Sequence, residues 1–130
     1  MRLLLDTHIV LWAMLDDPRL PSPLRDAVAG ALFISAAMAW EVVIETSVGK
    51  RDVPPDLFDR ALAAGAQALP ITRTHACAVT GLPSHHADPF DRLLIAQARS
   101  EGLIMPSVDR RFRACDVALM DGGTARPDVP

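Results

Sequence analysis

The chain has 130 residues, half of them apolar, with 16 acidic side chains against 13 basic ones and a formal net charge of −3. This length suits one domain with a real core, and no apolar run approaches the roughly 20 residues of a membrane span. The mild negative charge does not advertise a nucleic-acid binder, and Cys77 and Cys115, far apart, do not read as a disulfide framework or a metal knuckle.

The opening MRLLLDTHIV lacks the layout of a signal peptide because Asp6 and His8 interrupt its apolar stretch, so a cytoplasmic location is expected. Asp outnumbers Glu 13 to 3, and Arg outnumbers Lys 12 to 1. Asp suits helix starts and hard-metal sites, and Arg suits phosphate contact. A GC-rich genome accounts for most of that bias.

In chain order, residues 2–5 read as a short apolar strand ending at Asp6. Helical spacing of Ile9, Trp12, Ala13 and Leu15 predicts a helix over 7–15, stopped by Asp16-Asp17-Pro18. A short helix over 23–29 follows, with Ser22 as cap and Pro23 at its first position. A strand is expected over 32–34, then a long helix over 36–48 capped by Ser35 and closed by Gly49. Pro54-Pro55 starts a helix reaching about Ala64, and Gly65 ends it. A third strand covers 68–71, and Thr72 caps a helix over 73–80 ended by Gly81. After a loop over 82–87, Asp88-Pro89 opens a helix to Ser100, closed at Gly102. A fourth strand over 103–107, a helical turn over 109–113 and a fifth strand over 116–120 complete the pattern. One domain over 1–121 is expected, followed by a Gly- and Pro-rich tail over 122–130 without fixed structure.

Alternating strands and helices imply a parallel sheet covered on both faces, a three-layer α/β/α sandwich with four to five strands. In such sheets ligands bind beyond the carboxyl ends of the strands. Asp6 follows strand one, Asp109 follows strand four, and Glu41 lies early on the helix after strand two. Asp91 joins them if the helix preceding strand four starts on the same side. Carboxylates gathered at one rim repel each other and stay ionised together only around a cation. Oxygen donors without a His or Cys arrangement point to Mg²⁺ or Mn²⁺ rather than Zn²⁺.

Each acid also has a plainer role. Asp6 can cap the helix that follows it, Asp109 can cap its own turn, and Asp91 suits a helix dipole. Asp88 before Pro89 is first a cap and second an outer ligand. Glu41 lies within the apolar SAAMAWEVVI, where a charge must be paired, metal-bound or on an exposed strip. Glu45, one turn on, reads as surface. Arg92, Arg110 and Arg111 stand beside the proposed ligands and could hold phosphates, and His85 and His86 could move a proton, although a solvated surface explains each of them alone.

Taken together, Leu-Leu-Asp6-Thr-His8, Ser35-Ala-x-x-x-Trp40-Glu41, His86-Ala-Asp88-Pro-Phe-Asp91-Arg-Leu-Leu-Ile-Ala-Gln-Ala98 and Ser107-x-Asp109-x-x-Phe112 resemble PIN-domain ribonucleases, above all the VapC-type toxins. The resemblance covers residues 1–120 or so, and its DPFDRLLIAQA segment is its most specific part. It implies an α/β/α fold, Mg²⁺- or Mn²⁺-dependent cleavage of RNA, homodimerisation, and inhibition by a small antitoxin encoded alongside. On this pattern Asp6, Glu41 and Asp91 fall on the core acidic positions and Asp109 on the more variable fourth, with Asp88, Arg92 and Ser107 as secondary candidates. Pro106 departs from it: proline cannot donate to a ladder, so the fourth strand should be short or near an edge. Rival readings fit less well. A receiver domain needs an acid after strand three, where Pro70-Ile71-Thr72 stands, and a haloacid-dehalogenase-type phosphatase needs Asp-x-Asp where Asp6-Thr7-His8 stands. A non-catalytic RNA-binding PIN module would lack the acids, and a DNA-cleaving relative would keep them.

Overall fold

A computed structural model describes residues 2–20, 31–50, 52–82, 88–107, 119–121 and 127–128. The expected helix over 23–29 and the turn over 109–113 lie outside these residues. Strand β1 (Arg2–Leu5) leads directly into helix α1 (Thr7–Met14), and β2 (Ala31–Ser35) into α2 (Ala36–Ser47). Then come α3 (Leu57–Ala63), β3 (Gln67–Leu69), α4 (Arg73–Ala78) with a 3₁₀ turn over Val79–Gly81, α5 (Pro89–Glu101), β4 (Met105–Ser107), β5 (Leu119–Asp121) and β6 (Pro127–Asp128).

The local chemistry behind these boundaries is visible. Asp6, Ser35, Thr72 and Asp88 each cap a helix by accepting a backbone N–H with a side-chain oxygen. Gly102 ends α5 at φ +66, where a side chain would be strained. Helix α3 starts later than expected: Pro54 and Pro55 precede it, and the Leu57 N–H closes a turn onto the Pro54 carbonyl before the helix begins. Helix α4 is also shorter than the expected 73–80, because it tightens into a 3₁₀ turn after Ala78.

Strands β1, β2 and β3 pair in parallel, with β2 between its neighbours. A second ladder joins β4 to β5 in parallel and β5 to β6 antiparallel. The two ladders meet through Leu3 and Ile104: the Ile104 N–H donates to the Arg2 carbonyl at 3.0 Å, and the Leu4 N–H to the Ile104 carbonyl at 2.9 Å. In that parallel register the next rung would need the N–H of residue 106, and Pro106 has none. The join therefore stops one step after it starts, as expected of a strand interrupted by proline. The strand order is β3-β2-β1-β4-β5, so the connection reverses direction between β1 and β4. That reversal is the place where open α/β sheets bind ligands. Residues 127–128, expected within an unstructured tail, instead form β6 against β5.

The period-two alternation of the strands divides the core into two layers. Leu3, Leu5 and Ile34 pack with Ile9 and Val10 of α1, Met38 of α2, and Leu57 and Ala61 of α3. Leu4 points the other way, against Leu94, Ile95 and Ala98 of α5, together with Leu82 and Met105. Helix α2 serves both layers, with Ala37 in one and Met38 in the other. Sheet and flanking helices form the α/β/α sandwich. No helix among the described residues is long and apolar enough to cross a membrane.

Candidate active site

Four carboxylates gather at the carboxyl end of the sheet, each for a local reason. Asp6 is the residue at which β1 becomes α1. Its backbone is still extended (φ −85, ψ 172), and Oδ1 accepts the Ile9 N–H at 2.9 Å. Burial is the main force raising its carboxyl above the ordinary value, with the negative charge of Asp91 adding to it; the Ile9 N–H and His8 oppose the rise.

Glu41 is carried by α2, whose start is fixed by the Ser35 cap at the end of β2. Thr7, the first residue of α1 and buried, donates its hydroxyl to Glu41 Oε1 at 3.1 Å. The carboxyl is pushed up to about 7, chiefly by burial; the Thr7 bond works against this, while the charges of Glu45, Asp91 and Asp88 add to it. Of the three expectations for a charge in this stretch (paired, metal-bound or on an exposed strip), the Thr7 hydrogen bond fits the first, and the exposure of Trp40 and Val43 beside the half-buried Glu41 fits the last in part.

Asp88 and Asp91 open α5. Asp88 accepts the N–H groups of Phe90 at 2.8 Å and Asp91 at 3.2 Å, both on Oδ1. Its capping role therefore occupies one oxygen and is compatible with a second role for the carboxylate. One oxygen from each of Glu41, Asp88 and Asp91 lies within 4.8 Å of the other two. Asp6 stands close enough to Asp91 for the two charges to interact. Of the four primary sequence candidates, Asp6, Glu41 and Asp91 thus come together, and Asp88, read first as a cap, sits within the closest group. Asp109 lies outside the described residues, as do His85, His86, Arg110 and Arg111. Ser107 ends β4. Arg92 directs its guanidinium back to the Val79 carbonyl at 3.1 Å.

Sequence reasoning passed over Thr7. Its only signal was a hydroxyl directly after the strand-end acid on a helix first turn, which reads equally as capping chemistry. The donor set is oxygen-only, and closely grouped, partly buried carboxylates are stabilised in the ionised form by a positive ion. The residues therefore fit a hard divalent cation such as Mg²⁺ or Mn²⁺.

A doubly covered parallel sheet with acids grouped at its topological reversal defines a class of α/β protein with an oxygen-ligand site. The family model of the PIN domain matches residues 3–118, and the chain belongs to that family. No curated protein matches it in sequence. Similar solved structures include VapBC2 from Rickettsia felis bound to a DNA fragment from their promoter, at 14% identity and a TM-score of 0.69, covering 93% of this chain and 98% of that one. A toxin–antitoxin complex from Klebsiella pneumoniae matches at 17% identity and 0.65, covering 93% and 98%. FitAcB from Neisseria gonorrhoeae matches at 20% identity and 0.64, covering 92% and 97%. At these identities the likeness is one of fold.

Proposed function

We propose that this PIN-domain protein is a metal-dependent endoribonuclease and the toxin of a toxin–antitoxin pair. The observation that carries the reading is the meeting of Glu41, Asp88 and Asp91 beside Asp6 at the sheet's reversal point. Asp6 and Asp91 would hold a principal Mg²⁺ or Mn²⁺, with Asp88 as an outer ligand and Asp109 as a fourth acid. Such an ion supplies a water of lowered pKa and offsets the negative charge that grows on a phosphate under attack. Glu41, kept in place by the Thr7 hydroxyl, orients the attacking water and can accept its proton. Water adds to phosphorus in line with the leaving 3′-oxygen, the P–O3′ bond breaks, and the products carry a 5′-phosphate and a 3′-hydroxyl.

The toxin assignment draws on the sequence resemblance and on the similar structures, one of which is itself a toxin–antitoxin complex. A second copy of the chain and a small antitoxin are the proposed protein partners, in the cytoplasm. The purified chain should cleave single-stranded RNA with Mg²⁺ or Mn²⁺ and stop when the ion is chelated. Asp91→Asn and Asp6→Asn should abolish cleavage while circular dichroism stays unchanged. Full activity in either variant, or in exhaustively chelated protein, would overturn the nuclease reading. Cleavage of DNA in preference to RNA would overturn the substrate. Co-expression with the product of the adjacent short reading frame should relieve growth arrest; an arrest that persists removes the pairing.

A further inference from the structure

A second polar system runs between α2 and α5, the two helices that carry Glu41, Asp88 and Asp91. Ser35 and Gln97 are both 0% exposed. The Ser35 hydroxyl accepts the Ala37 N–H at 2.9 Å, as the cap of α2, and donates to Gln97 Oε1 at 2.6 Å. Gln97 lies on α5. Its Nε2 faces the Pro70 carbonyl at 3.4 Å and His75 Nδ1 at 3.3 Å. The orientation of this amide follows from its neighbours. The Thr72 N–H donates to His75 Nδ1 at 3.1 Å, so that nitrogen is an acceptor and the Gln97 atom facing it is the donor. The amide oxygen is then left to receive the serine proton. His75 completes the chain through Nε2 to Glu101 Oε2 at 2.8 Å. Among the described residues no buried side-chain polar atom lacks a partner.

Position along the helices gives this system its consequence. Glu41 lies six residues beyond Ser35 on α2, and Asp91 six residues before Gln97 on α5. At about 1.5 Å per residue, each acid stands roughly 9 Å along its helix from the Ser35–Gln97 bond. The bond is thus a pivot with two arms of equal length, whose far ends carry the acids of the metal site. A slip of the helices at the pivot passes directly into the spacing between Glu41 and the Asp88–Asp91 pair.

We propose that Gln97, through Ser35, is a positioning residue that sets the carboxylate spacing and makes the site selective for a small, strictly octahedral cation. The inference rests on the metal-dependent reading above. Mg²⁺ needs near-ideal oxygen positions at about 2.0–2.1 Å, whereas Ca²⁺ accepts 2.3–2.6 Å in looser arrangements. A site whose two helices lose their common pivot should therefore lose Mg²⁺ more than Ca²⁺. A residue that only stabilises the core would lower the melting temperature and leave the ratio of the two affinities alone.

The test uses Mn²⁺ as probe, its free concentration followed by electron paramagnetic resonance, with Mg²⁺ and Ca²⁺ as competitors. Wild type, Gln97→Met, Ser35→Ala, the double variant and Asp91→Asn are compared, with thermal melting of each metal-free protein alongside. Gln97→Met should weaken Mn²⁺ binding by about tenfold or more, the scale of lost outer-shell support, and shift competition from Mg²⁺ towards Ca²⁺. Ser35→Ala removes the same bond from its other end and should do the same, so the test stands even if one variant fails to fold. The double variant should be no worse than the worse single one. Binding lost in Asp91→Asn but unchanged, with an unchanged Mg²⁺-to-Ca²⁺ ratio, in Gln97→Met and Ser35→Ala overturns the pivot and leaves the metal site standing. A wild type that does not bind Mn²⁺ overturns the metal site itself, and the pivot with it.

Discussion

Glu41 shows how a single side chain records its surroundings. Burial lifts its carboxyl from 4.5 to about 7, and three nearby acids add to the lift against the one Thr7 hydroxyl. Between those two values the folded, metal-free protein keeps a proton that the unfolded chain has released. Stability contributed by the neutral form is complete below 4.5 and is lost as the pH rises through 7. Metal-free protein should accordingly melt at a lower temperature at pH 7.5 than at pH 5 by this contribution, and Glu41→Gln should flatten the profile. Cation binding has the opposite dependence, because it needs the charged carboxylate. Mn²⁺ affinity should climb as the pH rises towards 7 and level off above it, with proton release in calorimetry run in buffers of different ionisation enthalpy. A binding curve flat from pH 5 to 8 would contradict this account of the residue. That Glu41 was special could be read from sequence, since a lone charge in SAAMAWEVVI must be paired, metal-bound or on an exposed strip. The partner could not, because Thr7 reaches it from 34 residues away in the chain.

At the level of single elements, α5 carries two kinds of information in its first turn. Asp88 is both the stop for two backbone N–H groups and a member of the acid group. Substitution separates the roles. Asp88→Ser keeps a capping oxygen and should hold the melting temperature near wild type while weakening Mn²⁺ binding. Asp88→Ala should lose both, at a cost of about 1 kcal/mol in stability for the cap. Equal Mn²⁺ affinity in wild type and the serine variant would return Asp88 to capping alone. Element boundaries of this kind were largely legible, because caps, Pro at a first turn and Gly at φ +66 are local chemistry. Asp88's place among the acids was legible only as its second role, an outer ligand, because its closeness to Glu41 depends on the N-terminus of α5 lying beside the middle of α2. Not legible was the place of His75, a histidine in a helix first turn whose burial is set by α5 packing over α4.

Across the whole molecule, strand order was the property that sequence left open. Alternating elements announce a parallel sheet, but they do not say that β4 takes its place beside β1 rather than β3. That choice creates the reversal point at which Asp6 stands, and packing of Leu103 and Met105 against α5 accompanies it. Pro106 was legible as an interruption, and its effect is to end the β1–β4 join at Ile104. Restoring a donor there is a direct check. Pro106→Val should permit one more rung to the Leu4 carbonyl and stabilise the protein by about 0.5–1.5 kcal/mol, the usual net worth of a backbone hydrogen bond. Slower hydrogen exchange at the new amide would report the rung; an unchanged midpoint with rapid exchange would show that the strands diverge there for another reason.

The narrow join at Ile104 also divides the protein into parts of unequal duty. Asp6, Glu41, Asp88 and Asp91 all enter before Gly102, from β1 and three helices that share one continuous ladder and its covering layers. Among the described residues, the segment that follows joins this body through two backbone hydrogen bonds at Ile104 and through the buried side chains of Leu103 and Met105. Of the proposed acids Asp109 alone enters after that join, so substitutions in the far strands should reach the site through that one carboxylate and leave the grouping of Asp6, Glu41, Asp88 and Asp91 intact.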